Sequence, residues 1–131
     1  MIKQIIFAFA CVTTALANHP QKMGSAMVDT AIVAMKDGMP VIDVRQEACN
    51  GYVTGAHLIS VDDIVSNDPA AMEKIRELTK NDKNNPLVIY CASGKRAQKA
   101  VDALAAQGYT NLHNIGGIGD YYSPTVMSKC E

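Results

Sequence analysis

A short apolar run, Leu87-Val88-Ile89-Tyr90, stops at Cys91 and gives way to a polar loop, Ala92-Ser93-Gly94-Lys95-Arg96. A helical pattern opens at Ala97 and runs through Ala100, Val101, Leu104 and Ala105 to a stop at Gly108. A strand that hands over to a helix through so short a loop must pack that helix back against its own sheet, which leaves few folds open. The alternation recurs along the chain. Ser25 is a fair N-cap for a helix carrying Met27, Ala31 and Ala34, which Lys36-Asp37-Gly38 ends. Met39 to Val44 and Ala56 to Val61 read as strands, and the polar segment Arg45 to Gly55 lies between them. Asp68 caps a further helix with Pro69 in its first turn, and that helix carries Met72, Ile75 and Leu78 inward. Leu112 to Ile115 reads as a last short strand, and Tyr121-Tyr122 begin a tail. This order predicts an α/β domain with a parallel sheet and helices on both faces. Ligands bind such sheets at the carboxyl ends of the strands. Asp43 and Cys91 end two of the strands, so both are expected on that rim.

The strand–loop–helix arrangement aims backbone N–H groups and a helix dipole at the sulfur of Cys91. Lys95 and Arg96 add two cations to the same loop. Such surroundings stabilise negative charge on sulfur, and the thiolate is the nucleophilic form. Asp43 and Arg45 suit supporting roles, with the carboxylate holding N–H groups and the guanidinium pairing with a carboxylate. Ser93 either donates to a group on the sulfur or is simply small enough for the turn.

The chain of 131 residues fits one domain, and 48% hydrophobic residues allow a core. With no Trp and two Phe, aliphatic side chains and Met must fill it. The net charge of −1 includes no basic run suited to nucleic acid or to an anionic membrane. Residues 1–17 read as a signal peptide: Lys3, an apolar stretch from Ile5 to Val12, and Ala15-Leu16-Ala17 as the cleavage site. The mature domain then spans 18–131, lies in the periplasm or is secreted, carries no membrane segment and is expected to be a monomer. Removal of Cys11 leaves Cys49, Cys91 and Cys130. An odd number in an oxidising compartment is economically met by a Cys49–Cys130 disulfide with Cys91 free. Three free thiols fit the sequence equally, and a resolving role for Cys49 or Cys130 toward an oxidised Cys91 is a third reading. A single His19 near the mature start is a poor metal ligand, and no metal is expected.

In order and spacing the chain resembles the rhodanese family of sulfurtransferases, especially its small exported single-domain members. The resemblance rests on Val41-Ile42-Asp43-Val44-Arg45, Gly55-Ala56-His57-Leu58-Ile59, Val88 to Arg96, Gly108-Tyr109-Thr110-Asn111-Leu112 and Gly116-Gly117. It covers about residues 38–122. It implies a rhodanese-like parallel sheet of four to five strands, since no candidate for the family's opening strand stands between Asn18 and Gly24. It implies that Cys91 takes a sulfane sulfur from thiosulfate or a similar anion and passes it as a persulfide to cyanide or a thiol. Ala92, Ser93, Gly94, Lys95 and Arg96 would cradle the persulfide and bind the donor, and no cofactor is needed. His57 and His113 lie outside the loop, and a preformed thiolate needs no general base. Cysteine phosphatases that resemble rhodaneses have five residues between Cys and Arg. The four from Cys91 to Arg96 favour sulfur over phosphate or arsenate. Two other readings stand beside this one: a non-catalytic sulfur-relay or binding module, and a thiol–disulfide redox protein without a C-x-x-C pair.

Overall fold

A computed structural model describes residues 23–131; the expected signal peptide, Cys11 and His19 lie outside the described residues. Four parallel strands make the main sheet. They are β1 (Val41–Asp43), β3 (His57–Leu58), β4 (Leu87–Cys91) and β5 (Leu112–Gly117), in the order β3-β1-β4-β5. The register pairs Val41 with Val88, Ile42 with Ile89 and Asp43 with Tyr90. Helix α1 (Met23–Lys36) covers one face, and α2 (Val61–Val65), α3 (Pro69–Leu78) and α4 (Lys95–Ala106) cover the other. No described helix is long and apolar enough to cross a membrane.

Strand alternation sorts the core. Ile42, Leu87, Ile89 and Cys91 pack with Ile64, Ile75 and Leu104 on one face. Val41, Val88 and Tyr90 pack with Met27, Val28 and Ala31 on the other. The central strands are buried on both faces, which is why β1 and β4 read as continuous apolar runs rather than alternating ones. The side-chain carboxylate of Asp68 accepts from the Ala71 N–H at 3.0 Å, the cap expected from sequence.

Several boundaries differ from the sequence reading: β1 is shorter than Met39 to Val44, and β5 runs two residues past Ile115. Helix α1 begins at Met23, ahead of Ser25. Helix α4 begins at Lys95 rather than Ala97. The run Ala56 to Val61 yields a two-residue strand, because the Ser60 hydroxyl caps α2 through the Asp63 N–H and turns the chain. A second sheet was not foreseen: β2 (Tyr52–Val53) pairs antiparallel with β6 (Met127–Ser128). It brings the tail against the polar segment that follows β1. The disulfide between Cys49 and Cys130 joins the same two segments, and the Cys130 N–H donates to the Cys49 carbonyl at 3.1 Å.

Candidate active site

Cys91 is the free cysteine of the described residues and has no exposed surface. Its Sγ accepts the Gly94 N–H at 3.0 Å and the Ala97 N–H at 3.3 Å. Gly94 takes a left-handed φ of 94°, which costs a glycine little and folds the loop tightly enough for its N–H to face the sulfur. The N-terminus of α4 begins at the next residue, so unpaired amides and the helix dipole converge on Sγ. The loop named from sequence, 92–96, therefore supplies one of the two donors; the other comes from Ala97, one residue into the helical pattern.

The end of β5 holds the loop from the side. The Ile118 N–H donates to the Cys91 carbonyl at 2.8 Å, and the Gly119 N–H donates to the Ala92 carbonyl at 2.9 Å. Asn114 donates from Nδ2 to the Gly94 carbonyl at 3.0 Å. A Cβ on Gly117 would lie 2.1 Å from the Ala92 oxygen, so only glycine permits this approach. The Gly116-Gly117 pair seen in the sequence thus has a physical reason.

Asp43 and Cys91 share the strand-end rim, on opposite faces of the sheet. Asp43 does not hold the Cys91 loop. It accepts the Arg45 backbone N–H at 2.9 Å and the Arg45 guanidinium at 3.0 Å and 2.6 Å. Both residues are buried, and Arg45 also donates to the Gly51 carbonyl at 2.6 Å. Burial opposes the charge on Arg45, but Asp43 outweighs it and the guanidinium ends above its ordinary value. The Tyr90 hydroxyl accepts the Val53 N–H at 3.0 Å, and burial, then the Asp43 charge, raise its pKa.

Arg96 reaches away from the loop to Glu47, donating from both terminal nitrogens to both carboxylate oxygens at 3.1 Å and 2.8 Å. The Arg96 hydrogen bonds hold the Glu47 carboxyl down at about 2. Glu47 immediately precedes the short 3-10 turn Ala48–Asn50, which contains Cys49. An open polar cleft of about 270 Å³ lies beside the loop; Arg45, Glu47, Ala92, Asp120, Tyr121 and Tyr122 are among its walls. Lys95 is exposed, and its N–H faces the Ser93 hydroxyl at 3.5 Å. Glu47 escaped the sequence reading because its stretch has no period and its partner lies 49 residues away. Among the described residues no group of three or more His, Cys, Asp or Glu could hold a metal ion.

The sequence profile of the rhodanese-like domain matches residues 27–123. The chain is similar to thiosulfate sulfurtransferase PspE of Escherichia coli (strain K12), 38% identical over 45 residues, which are 34% of this chain and 43% of that protein. The chain thus spans less than half the length of that curated relative. Among solved structures, a rhodanese with anions from E. coli superposes with a TM-score of 0.54 and 29% identity, covering 70% of this chain and 99% of that one. The human single-domain sulfurtransferase TSTD1 gives the same TM-score, 0.54, and the same identity, 29%, over 71% of this chain and 87% of that one.

Proposed function

The chain belongs to the rhodanese-like domain family, and from that membership we propose that it is a sulfurtransferase working through a persulfide on Cys91. The observation that carries this reading is a thiol at the end of β4, the one free thiol among the described residues, with its sulfur accepting two backbone N–H groups at the start of a helix. The donor is thiosulfate or a similar small anion. The Cys91 thiolate attacks the sulfane sulfur, a new S–S bond forms, the thiosulfate S–S bond breaks, and sulfite leaves with the electron pair. The product is an anionic persulfide, for which the loop amides and the dipole of α4 provide continuing stabilisation. An acceptor thiolate or cyanide then attacks the terminal sulfur and returns Cys91 as thiolate. Ala92, Ser93 and Gly94 line the turn, and Lys95 and Arg96 supply positive charge for the donor.

The sequence-level alternative of a dithiol redox protein loses ground here, because Cys49 and Cys130 are bonded to each other. A pure binding module would have no use for the paired N–H donors on sulfur. The deciding experiment is intact mass of the protein after incubation with thiosulfate, with Cys91→Ser in parallel. The expected result is a gain of one sulfur atom in the parent, removed by cyanide and absent in the variant. A free, alkylatable Cys91 that gains no sulfur would overturn the reading.

A further inference from the structure

We propose that Glu47 is the resident counter-anion of Arg96, and that an anionic sulfur donor reaches the loop by taking its place. Glu47 is then a residue that sets affinity for the donor, an inference that rests on the sulfurtransferase reading. Arg96 is the last residue of the loop around Cys91, yet both of its terminal nitrogens are held by one carboxylate. The Arg45 guanidinium at the same rim is fixed in its buried pair with Asp43. A dianion approaching Arg96 with Glu47 in place would meet a carboxylate at the same guanidinium, and like charges so close repel. Exchange relieves that repulsion. It is also sterically open, since the Glu47 side chain is 50% exposed and lines the cleft beside the loop. Among the described residues Glu47 has no other side-chain ion pair to break, whereas Asp43 is enclosed. The exchange is a competition, so the fraction of Arg96 engaged by Glu47 raises the donor concentration needed for loading. When sulfite departs, Glu47 returns to Arg96 and opposes rebinding of the product.

The test reads anion selectivity at Cys91 without requiring sulfur transfer. Alkylation rates are measured with anionic iodoacetate and neutral iodoacetamide in the parent, Glu47→Gln, Arg96→Ala and the double variant. In the same proteins the thiosulfate concentration for half-maximal loading is measured by mass. Glu47→Gln is expected to raise the iodoacetate rate by up to about fivefold, the scale of an exposed ion pair, and to leave the iodoacetamide rate unchanged. The gain should vanish when Arg96 is Ala, and half-maximal loading should fall to lower thiosulfate by a similar factor. Equal changes for both reagents, or a slower iodoacetate reaction, would overturn the proposal and make Glu47 a support of the loop alone. If the parent takes no sulfur from thiosulfate but the reagent ratio shifts as described, the anion exchange stands and the sulfurtransferase reading falls.

Discussion

Asp43 and Arg45 lie two residues apart, are both buried, and are joined through three side-chain bonds and one backbone bond. A buried pair of this kind is worth little against an apolar replacement, but removing one partner strands the other charge. Asp43→Ala is therefore expected to lower unfolding free energy by about 3–5 kcal/mol, read as a shift of the urea midpoint. A loss below about 1 kcal/mol would mean that Arg45 finds another acceptor, such as the Gly51 carbonyl it already touches. The D-V-R signature is thus a structural lock on the segment after β1. Its supporting role was legible in the sequence as residue type and spacing. Which groups it would hold was not, because that depends on how the chain turns after Val44.

At the scale of elements, the site is a contact between the turn after β4 and the end of β5. Gly117→Ala would push a methyl to within 2.1 Å of the Ala92 oxygen. The strand is tied to the loop by two backbone bonds, so the loop must move. We expect a penalty of about 1–3 kcal/mol in thermal unfolding and a larger proportional loss of sulfur loading at Cys91. A variant that loads normally would show that the loop tolerates displacement without disturbing the N–H groups on sulfur. The parallel sheet was readable because both central strands, β1 and β4, are β-rich apolar runs and β4 passes through one short loop into a helix. The β2–β6 sheet was not, since two-residue strands paired across the length of the domain leave no local period. The length of β3 was overread for a related reason: Ile59 and Val61 still donate backbone bonds to Asp43 and Val44, but Ser60 has begun capping α2.

For the whole molecule, two groups set how stability responds to acid. His57 is pushed below its ordinary 6.5 by burial and then by Lys74, so the unfolded chain takes up that proton first. Stability should therefore decline as pH falls below about 6.5. Glu47, held at about 2 against an ordinary 4.5, contributes stability that is present above about 4.5 and is lost as pH falls toward 2. Urea midpoints followed downward from neutral pH should show the second decline flattened in Glu47→Gln and the first unchanged. A parent and a variant with identical acid limbs would contradict this assignment. The Cys49–Cys130 bond has a different kind of consequence. With those two sulfurs committed to each other, no second thiol among the described residues is free to discharge a sulfur held on Cys91. Under the proposed chemistry each loaded molecule must wait for a collision with an outside acceptor. How long the cargo is kept is then dictated by the supply of acceptor around the protein, and the domain behaves as a carrier whose unloading clock runs outside itself.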